Sequence, residues 1–428
     1  MPKKNQISFT VFEHSKVTVG SVNSPQRLII DRQTFDEILM LSSMSNDVNG
    51  NKIEQFIDIC CSKGQQFIKF NNYVGVITLP CGVTFEILPK ISNGTDDVAY
   101  ARKTVLKMLE VSSYIKPQTN QLGTIDIAKI PIFEIYISLF LKEIDILIKR
   151  GLKSTYIEVE ENVPTLNGKI IFTKHVLHNF VHKERFYVSH DIYHINRPEN
   201  KIIKSTLLKL KNISNNFDNL RNIKRLLLNM DSVEQSLNIR EDLSQCLTDR
   251  SVAEYREAIR YSKVFLLGNG FSIYNGAHNC VSLLFPTELL YQEYVYHQIY
   301  RALSQKGYKV SRQDTSCYLF TDPQKFQLRP DIVVSNNTEK IIIDTKWKII
   351  EKEGDISQSD MYQMYVYHKR YQNVKKVVLL YPMISSNRPY LFASSDNVVV
   401  QAQFVKLLIE DNHCLFDELL KTILIINS

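Results

Sequence analysis

The chain has 428 residues, 44% hydrophobic and 23% charged, with a formal net charge of +7. The length predicts two or three globular domains, the charge is a moderate bias toward polyanions such as DNA, and no apolar stretch is long enough to span a membrane. Because the N-terminus lacks a signal-peptide core and the seven cysteines form no C-x-x-C pair, we expect a cytoplasmic protein without a disulfide framework or a zinc ribbon.

The first ninety residues carry mainly strand patterns. Alternating apolar residues predict strands within residues 7–32, and a short helix is predicted over residues 34–44. Residues 66–91 are the most strand-like part, with a turn at residues 80–82 between two apolar runs. This pattern predicts a β-meander within a small barrel or sandwich.

Helical periodicity dominates the middle of the chain. The predicted elements are, in order, helices over residues 99–109 and 132–150, strands over 154–160 and 168–173, and a helical block from 196 to about 267. The second helix ends before Gly151, where a glycine C-cap is expected. Glycine-rich and asparagine-rich turns follow at residues 268–270 and 275–276, and we place the boundary of a C-terminal region there.

The C-terminal region contains a predicted β-hairpin. Two apolar runs, residues 332–334 and 341–343, flank a Ser-Asn-Asn-Thr sequence whose residues favour turns. We expect the turn to be centred on Asn336 and Asn337, with two antiparallel strands leading into and out of it. The start of the first strand then lies beside the end of the second strand.

Charged residues lie at these adjoining strand ends. If the pairing is symmetric about the turn, Asp331 faces Ile342, and side-chain alternation puts Asp344 and Lys346 on the same face. Carboxylate oxygens are hard ligands, of which Mg²⁺ takes one or two while keeping positions for water and phosphate. A lysine two residues from a ligand can orient the attacking water and offset charge on the phosphate. The set predicts phosphodiester hydrolysis, with a solvated and chemically idle strand end as the alternative for each residue taken singly.

Helices are predicted on both sides of the hairpin along the chain. The predicted order is helix (288–303), hairpin, helix (360–371) and strand (374–381). The first helix contains Glu293 and several tyrosines, which we expect mainly in the core. The second helix presents Gln363 and Tyr367 at i and i+4, so their side chains lie on one face.

The sequence Pro330-Asp331, followed by Asp344-Thr345-Lys346 at the end of an apolar strand, resembles the PD-(D/E)xK nuclease superfamily. The predicted order of helix, hairpin, helix and strand matches the core of that superfamily. The resemblance implies the following site: Asp331 and Asp344 as Mg²⁺ ligands, Glu293 as a third ligand, Lys346 as the water-orienting group, and Gln363 and Tyr367 in support.

Other stretches of the chain are similar to the McrC family of restriction subunits. They are residues 73–80, 86–91, 149–152 with Tyr156, 166–170 and 200–204. One departure is Asn167, which stands where the family often has arginine. With the nuclease pattern, the resemblance covers most of the chain from about residue 66 to residue 382.

The resemblance implies a function and a partner. McrC-type proteins are nuclease partners of McrB, a separate AAA+ GTPase, in systems that restrict modified-cytosine DNA. Residues 1–267 would be a β-rich, barrel-like and helical region that docks onto the GTPase ring and stimulates GTP hydrolysis. Residues 268–428 would be a restriction-endonuclease-like α/β domain that cuts double-stranded DNA and self-associates. Because the sequence contains no P-loop, GTP is expected to be used by the partner.

The sequence also has two other interpretations. A non-catalytic adaptor could activate a AAA+ GTPase and only bind DNA, but it would have no need of the Asp, Asp and Lys set. A zinc site could form from the histidines at positions 175, 178, 182, 190 and 194. No cysteine or well-placed carboxylate completes that site, so solvated or hydrogen-bonded histidines are favoured.

Overall fold

The structure is a computed structural model that describes residues 7–20, 27–42, 56–62, 64–90, 97–111, 130–248, 250–267, 281–336, 338–383 and 388–407. The chain forms two compact units, of which the first contains residues 1–135 and 268–428 and the second contains residues 136–267. Residues beyond 268 are therefore grouped with the first 135 residues. The assignment of partner docking to residues 1–267 and of cleavage to residues 268–428 stays a prediction. Within the described ranges, no helix is both long and apolar enough to cross a membrane.

The first unit begins with strands and two helices. In chain order they are β1 (Ser8–Phe12), β2 (Lys16–Val19), β3 (Arg27–Ile30), α1 (Arg32–Ser42), β4 (Ile57–Ser62), β5 (Gln65–Phe70), β6 (Tyr73–Thr78), β7 (Thr84–Leu88) and α2 (Val98–Val111). The strands predicted within residues 7–32 and the helix predicted over 99–109 are confirmed. Helix α1 begins two residues before its predicted start, and Asp31 caps it by accepting a hydrogen bond from the backbone N–H of Thr34 at 2.9 Å. The last two predicted residues of that helix lie outside the described residues.

The three strands predicted as one meander belong to two different sheets. Strand β5 pairs with β2 and β4, whereas β6 pairs with β7 around the predicted turn at residues 80–82. The prediction of a single meander is wrong because only Asn71 and Asn72 separate β5 from β6, and the chain crosses there from one sheet to the other. Side chains from both sheets, such as Ile68 and Phe85, pack in one apolar core. The β-rich character of this region is as expected.

The second unit is mainly helical. Its elements are α3 (Ile132–Arg150, which begins in the first unit), β8 (Thr155–Val163), β9 (Lys169–Ile170), α4 (Phe172–Asn179), β10 (Phe186–His194), α5 (Pro198–Ile213), α6 (Phe217–Asn229), α7 (Ile239–Thr248) and α8 (Arg256–Leu267). Helix α3 and the helical block are confirmed. The strand predicted over residues 168–173 is wrong in length, since it ends at Ile170 and a helix follows. The spacing of Phe172, Val176 and Phe180 at every fourth residue is helical and outweighs the local apolar run.

The rest of the first unit follows residues 268–280, which lie outside the described residues together with the turns predicted there. Its elements are β11 (Val281–Pro286), α9 (Thr287–Leu303), β12 (Lys309–Arg312), β13 (Tyr318–Thr321), β14 (Gln324–Gln327), β15 (Ile332–Ser335), β16 (Lys340–Thr345), α10 (Gln358–Arg370), β17 (Val374–Pro382), β18 (Tyr390–Ala393) and β19 (Val399–Val405). The predicted helices, hairpin and strand are all present. Strands β11 to β14, β18 and β19 are additional to the prediction.

Strand β11 joins the N-terminal part of the first unit, where the sheet order is β1-β7-β6-β11. The antiparallel pairing places Leu284 opposite Gly75, a glycine of the McrC-like stretch 73–80. Gly75 has a φ of +137°, and a Cβ atom at this position would lie 1.9 Å from the carbonyl oxygen of Leu283. Only glycine permits this close pairing. The stretch therefore has a structural role in joining β6 to β11.

A six-stranded sheet of order β12-β15-β16-β17-β19-β18 carries the predicted hairpin. Strands β15 and β16 are antiparallel, and β16 and β17 are parallel. Helix α10 packs on one face, where Met364 and Tyr367 contact a core that includes Val333 and Ile342. Because side chains alternate, Asp344 follows Ile342 on this same face, at the carboxyl end of β16.

Candidate active site

The hairpin brings Asp331 and Asp344 opposite each other. Ile332 pairs with Ile343 in the register of the two strands, and continuing the register by one residue places Asp331 across from Asp344. The expected pairing of Asp331 with Ile342 is therefore wrong by two residues. A shift of two residues preserves the face on which each side chain lies. The predicted convergence of the two carboxylates survives the error in register.

The turn chemistry explains the shift. The side-chain oxygen of Asn336 accepts hydrogen bonds from the backbone N–H groups of Thr338 and Glu339, at 2.9 and 2.7 Å. Asn336 therefore opens the turn instead of standing at its centre. The other predicted central residue, Asn337, lies outside the described residues.

Thr345 orients Asp331. The Oδ2 atom of Asp331 accepts hydrogen bonds from the backbone N–H and from the hydroxyl of Thr345, at 2.7 and 2.6 Å. Burial raises the pKa of Asp331 even though these two hydrogen bonds favour its ionised form. Thr345 was missed as a functional residue, and its position between Asp344 and Lys346 was the only signal in the sequence.

Lys346 forms an ion pair with Asp344 and a hydrogen bond with helix α10. Its Nζ lies 2.5 Å from Oδ2 of Asp344 and donates to Oε1 of Gln363 at 3.1 Å. The amide nitrogen of Gln363 donates to the hydroxyl of Tyr367 at 2.8 Å. The structure therefore joins Asp344, Lys346, Gln363 and Tyr367 in one continuous polar network.

Electrostatics at this site are unfavourable for two negative charges. Asp344 is 2% exposed. Burial, together with the charge of Asp331, raises its pKa to about 7, and the ammonium group of Lys346 only partly offsets this. Burial disfavours the charged form of Lys346, but the charges of Asp344 and Asp331 outweigh it, so the pKa of Lys346 lies above its ordinary value. The site therefore favours binding of additional positive charge.

A second ion pair adjoins the first. Asp360, in the first turn of α10, is 6% exposed and accepts a hydrogen bond from Nζ of Lys348 at 2.7 Å. Its charge contributes to the raised pKa of Asp344. Sequence reasoning missed both residues, because an acidic residue in a first helical turn is ordinarily explained by the helix dipole. The alternation of Lys346 with Lys348 after β16 was an available signal.

Glu293 is engaged elsewhere. Its carboxylate accepts a hydrogen bond from Nη1 of Arg312 at 2.9 Å and lies 3.6 Å from Nε2 of His297. Arg312 pairs with Ile332, and the Ile332 side chain lies on the opposite face of the sheet from Asp331 because side chains alternate. Within the described ranges no group of three or more His, Cys, Asp or Glu side chains is arranged to hold a metal ion. A ligand role for Glu293 stays a prediction.

The other candidate groups are the tyrosines of α9 and the histidines of the second unit. Tyr291 and Tyr294 are 0% and 2% exposed, as expected for core residues, whereas Tyr296 is half-buried and Tyr300 is 47% exposed, so the core prediction holds for two of the four tyrosines. His175 accepts a hydrogen bond from the backbone N–H of Tyr187 at 3.3 Å. His178 stacks on the Tyr187 ring with the ring centroids 5.3 Å apart.

The solved structures that share this fold include two from one organism. One is a chain in the refined half-complex from the tetradecameric assembly of Thermococcus gammatolerans McrB AAA+ hexamers with bound McrC, with a TM-score of 0.74, 16% sequence identity and 96% of each chain covered. The other is the cryo-EM structure of the Thermococcus gammatolerans McrBC complex, with a TM-score of 0.54, 16% identity, and coverage of 69% of this chain and 88% of that one. By its fold, the chain is a mixed α/β protein similar to McrC.

A match to a protein-family model identifies the family within this fold class. The model described as "McrBC 5-methylcytosine restriction system component" matches residues 68–382, which is more than half of the chain. The protein therefore belongs to the McrBC family. Among curated proteins, no match to the chain was found.

Proposed function

We propose that this protein is the endonuclease subunit of a GTP-dependent McrBC-type restriction system. It cuts double-stranded DNA, in particular DNA with modified cytosine, by Mg²⁺-dependent phosphodiester hydrolysis on a PD-(D/E)xK domain. The observation that carries the proposal is the polar network at the end of β16, where Asp331 lies opposite Asp344 and Nζ of Lys346 lies 2.5 Å from Asp344. A non-catalytic adaptor would not need two carboxylates, one of them buried, opposite each other at this position.

The residues of the site fit a divalent cation. Oδ2 of Asp344 is buried and, among the described residues, accepts no well-directed hydrogen bond, although Nζ of Lys346 is close to it. Asp331 and Asp344 would hold the ion. This agrees with the coordination preference of Mg²⁺, which usually binds one or two carboxylates and keeps its other positions for water and phosphate. When bound, Mg²⁺ supplies Lewis-acid polarisation of the phosphate and lowers the pKa of bound water.

Lys346 would act on the water and on the phosphate. Its ammonium group lies beside Asp344 and donates a hydrogen bond to Gln363, so it keeps a proton that could be donated to a water molecule or a phosphate oxygen. A fixed positive charge in a partly buried site stabilises negative charge on the phosphate more strongly than a mobile one in water. Tyr367 holds Gln363 in place through their hydrogen bond.

The partner is proposed to be a AAA+ GTPase ring like the McrB hexamers named in the similar structures. The second unit presents an unusual apolar surface to it on α4 and the two residues that follow, which we call the α4 patch. The patch consists of Phe172, Val176, Leu177, Phe180 and Val181, whose exposed fractions are 71%, 61%, 76%, 79% and 80%. Adjacent exposed apolar side chains of this kind mark sites of protein interaction.

Cleavage and GTP hydrolysis can be tested in one reaction. The purified protein, its AAA+ partner, GTP, Mg²⁺ and methylated DNA are combined, and Asp344→Ala is compared with wild type. We expect the variant to lose cutting but to stimulate GTP hydrolysis as wild type does. Glu351→Ala is the matched control, since Glu351 is an exposed acidic residue of the same polypeptide segment. Cutting by Asp344→Ala would refute the nuclease assignment.

The α4 patch is tested in the same reaction. Phe180→Ser should weaken binding to the ring and GTPase stimulation. Phe217→Ser is the matched control, because Phe217 is also in the second unit and 76% exposed but lies outside the patch. Equal stimulation by both variants would rule out the α4 patch as the docking surface.

A further inference from the structure

A buried carboxylate from the N-terminal strands reaches the end of strand β16. Glu13, in the turn between β1 and β2, is 1% exposed. Its Oε2 accepts a hydrogen bond from Nε1 of Trp347 at 3.1 Å, across 334 sequence positions. The same oxygen accepts from the backbone N–H of Lys90 at 3.4 Å, and Oε1 accepts from the hydroxyl of Thr287 at the start of α9. Glu13 thereby connects three distant segments of the first unit.

Trp347 directly follows Lys346 in the sequence. Its contact with Tyr291 also helps to hold the backbone at Lys346. The Trp347 ring lies against Tyr291, with ring centroids 5.3 Å apart. The Tyr291 hydroxyl donates to the carbonyl oxygen of Leu380 at 3.3 Å. That oxygen also accepts the backbone N–H of Lys346 at 3.0 Å. The backbone of Lys346 is therefore held by strand β17 on one side and, through Trp347, by Glu13 on the other.

A carboxylate is well suited to this position. Its two oxygens accept hydrogen bonds from three donors at once, which a neutral apolar side chain cannot do. Burial raises the pKa of Glu13 to about 7, and the nearby charge of Glu288 acts in the same direction. The fold therefore tolerates an unfavourable buried acid in order to satisfy these donors.

We propose that Glu13 is a positioning residue for DNA cleavage: it holds Trp347 and thereby fixes the backbone from which Lys346 extends to Asp344. This inference rests on the proposed nuclease function and extends it to a buried residue of the N-terminal strands that lies outside the proposed set of Asp331, Asp344 and Lys346. Lysine has a long and flexible side chain, so the place of its ammonium group depends on where its backbone is held. A misplacement of about 1 Å in a catalytic group costs on the order of 100-fold in rate.

The test uses the full-length protein with its AAA+ partner, GTP, Mg²⁺ and DNA. Glu13→Ala removes the acceptor and Trp347→Phe removes the donor, and each should lower kcat roughly 10- to 100-fold with the KM for DNA unchanged. Glu13→Gln should restore most of the rate, because its amide oxygen still accepts from Trp347 while its amide nitrogen donates to the Thr287 hydroxyl. The double variant should be no slower than the slower single variant.

Glu37→Ala is the matched control. Glu37 is a half-buried carboxylate of the same N-terminal region, and it accepts the backbone N–H of Cys81 at 2.9 Å without contacting Trp347. Its loss should reduce thermal stability but leave kcat unchanged. Because Trp347 is the only tryptophan of the chain, a shift of its emission maximum in the Glu13 variants reports a change in the surroundings of its ring.

A second measurement does not depend on cleavage. The acetylation rate of Lys346 relative to that of Lys348, followed by mass spectrometry, should rise several-fold in Glu13→Ala and in Trp347→Phe but not in Glu13→Gln. If wild type does not cut DNA, the proposed nuclease function fails and this labelling still decides whether Glu13 positions Lys346. Unchanged labelling of Lys346, or wild-type kcat in the folded fraction of Glu13→Ala, would overturn the proposal.

Discussion

Replacing Asp344 by asparagine should abolish cutting and at the same time stabilise the fold. The side chain is 2% exposed, and burial together with the charge of Asp331 raises its pKa from an ordinary 3.8 to about 7. A carboxyl group that resists ionisation in the folded state makes folding less favourable at any pH at which the unfolded chain is ionised. Asparagine has nearly the same size and no charge to bury. The expected gain follows from the poor fit of a charged carboxylate to these buried surroundings.

The magnitude follows from the two pKa values. A pKa difference of about 3, at roughly 1.4 kcal/mol for each pH unit, sets an upper limit of about 4 kcal/mol on the gain. The substitution also leaves Lys346 without its closest partner, which offsets part of the gain. Because Lys346 is partly exposed and keeps its bond to Gln363, we expect this loss to be smaller. A net gain of roughly 1–3 kcal/mol is expected without metal.

The sign of the pH dependence distinguishes this explanation from others. Well below pH 3.8 the carboxyl group is protonated in both states, so it contributes no difference. Between pH 3.8 and about 7 the unfolded chain loses its proton first, so wild-type stability falls as the pH rises, and above about 7 the deficit is constant. The advantage of Asp344→Asn should therefore grow from pH 5 to pH 7 and level off by pH 8.

Urea denaturation at pH 5, 6, 7 and 8, with and without Mg²⁺, provides the assay. Mg²⁺ should stabilise wild type and leave Asp344→Asn unchanged, since the variant lacks one of the two proposed ligands. Glu351→Gln, at an exposed position, controls for the general effect of removing a negative charge. A variant that is less stable than wild type at pH 8, or whose advantage does not vary with pH, would refute the electrostatic argument.

Three further changes have definite expected outcomes. Lys346→Met should lower cutting by about 100- to 1,000-fold without loss of GTPase stimulation, because it removes the positive charge at the phosphate, and single-turnover cleavage measures it. Thr345→Val removes one of the two hydrogen bonds that hold Asp331, so the pH profile of cutting should move to higher pH, as the rate measured from pH 6 to 9 would show. Gly75→Ala should destabilise the first unit by roughly 3 kcal/mol in thermal melts, because its Cβ would lie 1.9 Å from the Leu283 carbonyl oxygen.

Sequence patterns were sufficient where the determining interactions are local. Each of three elements depends on residues that are close together in the sequence. These elements are the hairpin, the helix that presents Gln363 and Tyr367, and the strand that follows this helix. The predicted register was wrong by two residues because the side chain of Asn336 accepts hydrogen bonds from the backbone N–H groups of Thr338 and Glu339. The sequence does not indicate which of the two asparagines in the turn makes these bonds. The predicted convergence of Asp331 and Asp344 is still correct, because side chains alternate with a period of two residues and a shift of two residues keeps them on the same face.

Long-range partners could not be predicted in this way. Glu13 and Trp347 are 334 positions apart, and neither lies in a pattern that distinguishes it from an ordinary turn acid or core aromatic residue. Likewise, the sequence of β6 does not indicate that this strand pairs with β11 in addition to β7, and β11 lies about two hundred residues further along the chain. A strand buried in a sheet shows its apolar character in sequence, but not the identity of the strands beside it.

These long-range contacts change how the chain should be divided for experiments. A fragment that ends at Leu267 lacks β11, which leaves the edge of β6 unpaired, and it also removes the Thr287 and Trp347 donors that satisfy buried Glu13. Residues 136–267 form a compact unit of their own and contain the α4 patch. A fragment of residues 130–267, which includes all of α3, is therefore the better candidate for binding the AAA+ ring without cutting DNA. A folded 130–267 fragment that is not retained by the ring in a pull-down, beside a 1–267 fragment that is, would show that the N-terminal strands contact the partner instead.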